Sequence, residues 1–441
     1  MKILHINTDD LYGGAARAAF RLHEALLQNG IDSRMLVANK KSDINSIVTL
    51  TEKRGIVNRL IYKFYRIVFR KNELIKYKKT ISKKWGPFSS QAVSNKRLIK
   101  SINEIKPDIV HLHWICFDFL SIEDIAKINA PIAWSLHDMW PFTGGCHVVA
   151  DQVLPHSGEG MLRCGEVGIM CDKYTKDCGS CDFLGSKKKK DLSFKVLQRK
   201  KKTFGIISGM AIIGLSRWMK DCAKEGSVFK DKNMVCLPNP INASVFKPFD
   251  KMQARLLWNL PTDKKLILFG AIEATSTPYK GYDLLIDALN KLSAKNVEFA
   301  VFGSSEPANV PELPNKIHYL GHLSDTISLV SLYNACDVIV VPSKRENLSN
   351  TIMESLSCGK PVVCFNIGGN SDMVGHKSNG YLVQPFDTSD LAKGIDWVLD
   401  YENYDELSKN AREKVVAEFD YAVVAKKYVN LYEEIAKQTS V

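Results

Sequence analysis

A chain of 441 residues, 45% hydrophobic, is long enough for two domains that each bury their own core, which argues against a single domain. The net charge of +12 is unevenly spread: residues 53–100 hold fifteen Lys or Arg against one acid, Glu73, so the chain carries one basic patch rather than a basic surface. No run reaches the roughly 18 apolar residues of a membrane-spanning helix, and MKILHIN lacks the basic and apolar regions of a signal peptide, so the expectation is a cytoplasmic protein, soluble or peripheral.

Short apolar strands alternate with amphipathic segments from the first residues onward. KILHIN is followed by a helical pattern over 15–29, then SRMLVA, DIVHLHW, PIAWSLHD and GMAIIGLS. The second half repeats the rhythm with KLILFGA, a helix through YDLLIDALNKL, VEFAVFG, KIHYLG, a helix through ISLVSLYNACD, VIVVPS, a helix after Arg345, and PVVCFN. Strands alternating with helices predict βαβ units, hence an α/β protein of two doubly wound, Rossmann-like domains. LPNPINASVFKPFD, with three prolines and no periodicity, is the expected linker, and three helical segments close the chain from Ser389. The expected domains are 1–240, 241–420 and a terminal helix, 421–441, returning to the first domain. Ligands bind such sheets in the loops beyond the strands' carboxyl ends, with the cleft between two facing domains as the default site.

Those loops hold the candidate residues. Gly13 and Gly14 open a helix after the first strand and fit either close approach to an anion or a tight turn. In IVNRLIYKFYRIVFRK, Val57, Leu60, Ile61, Phe64 and Val68 share one face while Arg59, Lys63, Arg66 and Arg70 share the other. This basic amphipathic helix, placed at about 54–80, suits an anionic membrane surface; nucleic acid is a poorer match because no recognition motif accompanies the charge. His137, ending a strand, could donate to a sugar hydroxyl or phosphate with Asp138 orienting it, or be a structural histidine. Of eleven cysteines, six are scattered in apolar runs as reduced core residues are, and five lie within 146–181. CDKYTKDCGSC, with Cys146 upstream, can close a tetrahedral structural zinc site; reduced thiols or a disulfide are the alternatives. Lys187–Lys190, just beyond, is either a solvated loop or a contact for an anionic acceptor. Lys280, before a helix, can meet a phosphate as a point charge. In SKRENLSNTIMES, Glu346 lies in a loop, and Asn347 or Ser349 can cap a helix whose N–H groups form an anion site. Leu348, Ile352, Met353 and Leu356 form an apolar arc that leaves Asn350, Thr351, Glu354 and Ser355 opposite, so Glu354 need not be buried among apolar side chains. The two acids fit a nucleotide-sugar site or compensation of the helix dipole.

Glu346 and Glu354, the following SCGKPVVCFNIGGNSDMV, Lys280-Gly281, Gly13-Gly14, LPNPIN and LHDMWPFTGGCH together resemble retaining glycosyltransferases of family four, with the GT-B fold, over essentially the whole chain. HDMWPFTGGCH followed by a cysteine cluster is similar to a subgroup of bacterial surface-polysaccharide transferases. The resemblance implies that Lys280 and the backbone around Leu348, Ser349, Asn350 and Thr351 bind a donor diphosphate, that Glu354 binds ribose, and that Glu346 contacts the donor sugar. It implies that His137 lines the sugar site and that Gly13 and Gly14 sit near the phosphate or acceptor. It also selects Cys146, Cys171, Cys178 and Cys181 as zinc ligands, leaving Cys164 in an insertion over 149–170, and implies no catalytic metal. A nucleotide-sugar donor and a saccharide acceptor, lipid-linked and met at the inner face of the membrane, are the partners expected. A nucleotide-sugar epimerase of the same fold is the alternative. The arginine that the family often pairs with the lysine is missing before Lys280; Arg345 or Arg17 could replace it.

Overall fold

The computed structural model describes residues 1–50, 74, 76–77, 79–80, 87–148, 171–271, 273–307, 313–323 and 325–439. The expected basic helix, apart from a few residues at its end, and Cys164 lie outside these. The chain divides into two compact units, the first formed by 1–150, 163–239 and 424–441, the second by 151–162 and 240–423.

The first unit holds a seven-stranded parallel sheet of β1 (Lys2–Asp9), β2 (Asp32–Asn39), β3 (Ile47–Thr49), β4 (Ile109–Leu112), β5 (Ile132–Leu136), β6 (Met210–Gly214) and β7 (Asn233–Cys236) in the order 3-2-1-4-5-6-7. The second holds six strands, β8 (Lys265–Gly270), β9 (Val297–Phe302), β10 (Ile317–Tyr319), β11 (Val338–Val341), β12 (Val362–Phe365) and β13 (Gly380–Val383), in the order 10-9-8-11-12-13. Both orders run outward from the first strand, then jump to its other side, which is doubly wound topology with a switch point beside β1 and beside β8. The apolar runs that predicted central strands are the fully buried ones: β5, β6, β11 and β12 show no exposed residue.

Two expectations about the joints are refined. The proline-rich linker is packed, with Ile241, Ala243 and Phe246 buried and Ile241 exchanging backbone hydrogen bonds with Phe419 and Tyr421. The three closing helices are Thr388–Leu399, Tyr404–Glu418 and Tyr421–Thr439, and the last contributes Val424 onward to the first unit. There Tyr432 Oη lies 2.7 Å from His111 Nδ1 in β4, and Tyr428 Oη is within reach of Ser135 in β5.

The acid that follows β1 is turn chemistry. Asp10, fully buried, accepts from the backbone N–H groups of Leu11, Lys41 and Ser42 at 2.8–2.9 Å. Burial opposes its charge, but these donors hold its carboxyl below the ordinary range. A depressed carboxyl contributes stability that is complete above the unfolded-state value of about 3.9 and is lost as pH falls through the lower folded value. Urea unfolding followed below about pH 4 is therefore expected to weaken less steeply in Asp10→Asn than in the parent; equal slopes would show that Asp10 is not held this way.

Candidate active site

In the second unit, the loops beyond β8 and β11, neighbours in the sheet, are tied together. The β8 loop ends in a 3-10 turn, Pro278–Lys280, and then Gly281 turns left-handed with φ +74°. A Cβ at Gly281 would stand 1.9 Å from the carbonyl oxygen of Pro342, so only glycine lets the lysine loop lie against the end of β11. Lys344 N–H donates to Tyr279 O at 2.8 Å, and Lys344 Nζ to Asp283. The consequence is a pair the sequence separates by 66 positions: Lys280 Nζ donates to Glu346 Oε1 at 2.9 Å, with both side chains largely buried. Burial pulls the Lys280 ammonium down, yet Glu346 and Tyr279 outweigh it and raise its pKa.

Beside this pair begins the Asn350–Ser357 helix, for which Ser349 is the N-cap residue but makes no side-chain capping bond. Leu348, Ile352, Met353 and Leu356 are buried, as their arc requires. Glu354 is 3% exposed and is buried with a polar partner, Tyr333 Oη–H donating to its Oε2 at 2.8 Å. The neighbouring Thr326–Ala335 helix covers the side that the helical wheel left open. Arg345 stands in the loop next to Glu346, half-buried, whereas Arg17 is in the first unit's opening helix.

In the first unit, Gly13 precedes the Gly14–Gln28 helix with φ +89°, and a Cβ there would meet nothing within 4 Å, so the backbone is approachable at that point. His137 follows β5, half-buried, with Nε2 3.0 Å from His113 Nδ1. Asp138 does not orient it, contrary to expectation. Its carboxylate accepts from Trp114 Nε1 at 2.7 Å and Trp140 N at 2.9 Å, and pairs with His147 Nδ1 at 2.6 Å. Both residues lie beyond the end of β5, where the Asp138 carboxylate is taken up by these three donors.

The cysteine segment packs near this motif. All four selected cysteines are free thiols; Cys171 receives the Lys173 N–H, Cys178 that of Gly144, and Cys181 those of Phe183 and Leu184. Burial pushes every one of them up, Cys178 to about 12. Lys200 is fully buried nearby, its Nζ donating to Trp140 O and Thr143 O and lying 3.8 Å from the Trp140 ring centroid. Burial pulls it down to about 7, against the pull of Cys116, Cys146, Cys178 and Asp138. Lys187–Lys190 are exposed.

Two parallel sheets in doubly wound order, with charged loops at their carboxyl ends, make this the GT-B fold. The chain aligns with the Anabaena HepE structure solved with UDP-glucose over 100% of its own length and 99% of that chain, with a TM-score of 0.60 and 16% identity. Residues 255–414 match the family described as Glycosyl transferases group 1, a stretch that contains Lys280, Glu346 and Glu354. An uncharacterized glycosyltransferase of Methanocaldococcus jannaschii is 30% identical over 192 residues, 42% of this chain and 48% of the relative. The Campylobacter jejuni N,N'-diacetylbacillosaminyl-diphospho-undecaprenol alpha-1,3-N-acetylgalactosaminyltransferase is 26% identical over 216 residues, 47% of this chain and 56% of the relative. The chain thus spans about half the length of these curated relatives.

Replacing Glu346 by Gln removes the larger of the two groups that hold the Lys280 proton against burial. A lysine-selective carbon NMR titration is expected to show Lys280 losing its proton at lower pH in Glu346→Gln than in the parent; an unchanged or higher midpoint would remove the ion pair from the site.

Proposed function

We propose that this protein is a retaining glycosyltransferase that moves a sugar from a nucleotide-diphosphate sugar to a saccharide acceptor. The observation that carries the reading is the Lys280–Glu346 pair, fixed by the Gly281–Pro342 approach beside a helix start that its own N-cap side chain leaves uncapped. In this reading the diphosphate accepts from the first-turn N–H groups around Leu348–Thr351 and draws the Lys280 ammonium toward it, offsetting the charge that develops as the glycosidic bond to phosphate breaks. Glu346, beside that ammonium, takes hydroxyls of the donor sugar, and Glu354, held by Tyr333, accepts from the ribose. His137 lines the sugar site, with the Gly13–Gly14 backbone near the phosphate or acceptor. Charge compensation by protein groups is the reading's substitute for a catalytic metal.

The acceptor is proposed to be lipid-linked and part of a surface polysaccharide. The Campylobacter relative's name, with its diphospho-undecaprenol acceptor, supports this, as does the concentration of basic residues over 53–100, suited to an anionic membrane at its cytoplasmic face. Among the described residues no helix is long and apolar enough to cross a membrane. Screening nucleotide sugars by thermal shift identifies the donor, since a ligand of the native state raises its melting temperature with occupancy. With that donor, Lys280→Ala and Glu346→Ala are each expected to lower transfer by roughly a hundredfold or more. Transfer undiminished in both variants would refute the site; isomerised donor without transfer would replace the reading with an epimerase.

We also propose that Cys146, Cys171, Cys178 and Cys181 hold a structural zinc ion. Backbone N–H groups directed at three of the sulfurs favour thiolates, and four thiolates on one Zn²⁺ leave net negative charge for which buried Lys200 is the counter-ion. Elemental analysis is expected to find about one zinc per chain, lost in Cys178→Ser together with a fall in melting temperature. A metal-free parent with an unaltered melting curve after chelation would exclude it.

A further inference from the structure

Trp114 is pinned at the carboxyl edge of the first sheet from three strands at once. The sheet order reverses between β1 and β4, so the loops after these strands frame the first unit's switch point, where doubly wound sheets take ligands. Trp114, two residues beyond β4, donates its backbone N–H to Asn7 Oδ1 at 2.8 Å, and its carbonyl accepts from Thr8 N–H at 2.8 Å and Thr8 Oγ1 at 3.0 Å, which ties the loop to the end of β1. Its indole Nε1–H donates to Asp138 Oδ2 at 2.7 Å in the loop after β5. Phe117 makes a T-shaped contact with the indole, 4.8 Å between centroids. The backbone beyond is held as firmly. Phe117 and Asp118 both adopt φ +59°, a left-handed conformation that residues other than glycine rarely keep unless their surroundings enforce it. Buried Gln91 does so here, accepting from Asp118 N–H and donating to Ile115 O and Leu120 O at 2.7–2.8 Å. A loop fixed this closely presents its indole in one preset orientation.

Asp138 supplies what the indole lacks. Its Oδ2 is taken up by Trp114 and His147, whereas among the described residues its Oδ1 accepts the Trp140 N–H alone, at 2.9 Å, and keeps a second lone pair. The side chain is 17% exposed, and Trp114 is half-buried, so both reach solvent. Burial opposes the Asp138 charge, but its pairing with His147 and the N–H groups of Trp140 and Trp114 outweigh it and hold the carboxyl below the ordinary range. An indole face is electron-rich and attracts the weakly positive C–H groups of a sugar ring, while a carboxylate oxygen accepts from a hydroxyl of the same ring. We propose that Trp114 and Asp138 form a subsite for one uncharged pyranose of a saccharide, its C–H face on the indole and a hydroxyl donating to Asp138 Oδ1. The negative charge of Asp138 repels phosphate, so a phosphorylated portion of the same molecule lies away from it. The subsite stands on these contacts alone; that its occupant is the acceptor rests on the glycosyltransferase reading.

The test uses the full chain labelled with ¹⁵N-tryptophan, whose seven indole N–H signals report on the residues one by one, Trp114 being assigned by its loss in Trp114→Phe. Titration with the methyl glycosides of glucose, galactose, mannose and the 2-acetamido sugars, with no donor present, is expected to shift the Trp114 signal for at least one glycoside, and inorganic phosphate to leave it in place. In Asp138→Asn the same shift should need about tenfold more glycoside, the loss of one charge-assisted hydrogen bond. A Trp114 signal that no glycoside moves, one that phosphate moves instead, or one that responds equally in Asp138→Asn overturns the proposal. If Asp138→Asn does not fold, the titration of the parent still decides. Where transfer is measurable, Trp114→Leu is expected to raise the acceptor KM about tenfold with a smaller change in kcat, and Trp114→Phe, which keeps an aromatic face, to recover most of it. Glycoside binding at Trp114 without transferase activity would leave the saccharide subsite standing and dismiss the enzymatic reading; transfer whose acceptor KM does not move in Trp114→Leu would do the reverse.

Discussion

Parallel pairing of strands is the constraint on which the rest depends. It delivers every carboxyl end of a sheet to the same edge, so the loops after β8 and β11 emerge side by side although 66 positions separate Lys280 from Glu346. Its register sets His5 opposite His111 and leads through His113 toward His137. A parallel sheet is covered on both faces, so the polar groups it carries inward must find partners within the protein. Serine and tyrosine hydroxyls and neighbouring rings supply them around the histidines, and Tyr333 supplies one for Glu354.

Much of the fold was legible because the central strands are long apolar runs bounded by turn residues. The three strands that sequence reading missed, β3, β7 and β13, are all sheet edges of three or four residues. Short strands at an edge carry little periodic signal, and their pairing is decided by the neighbour rather than by their own residues. Alternation of strand and helix pointed to doubly wound sheets, whereas the strand order itself is set by pairing that no single residue announces.

The candidate site was legible as a set of residues and less so as a set of contacts. Lys280, Glu346 and the helix start stood out because ammonium, carboxylate and unpaired N–H groups follow strands. The wheel set Glu354 off the apolar arc, but it describes one helix, and the hydroxyl that covers the carboxylate comes from the Thr326–Ala335 helix through tertiary packing. Asp138 was assigned to His137 by adjacency, whereas the bend after β5 gives its carboxylate to His147, Trp114 and Trp140. The histidines of KILHIN, DIVHLHW and WSLHD were legible strand by strand, but joining them required the register between strands.

The closing helix carries a consequence for how this molecule comes into being. The first unit takes Val424–Val441 as one of its own pieces, and Tyr432 from that piece holds His111. A nascent chain grows from its amino end, and domains ordinarily fold in the order in which they leave the ribosome. Here the earlier unit cannot reach its finished form until the Tyr421–Thr439 helix has been translated, after strands β8 to β13 have emerged. Its histidine core must wait, incomplete, while the later unit has every one of its ordered strands in hand.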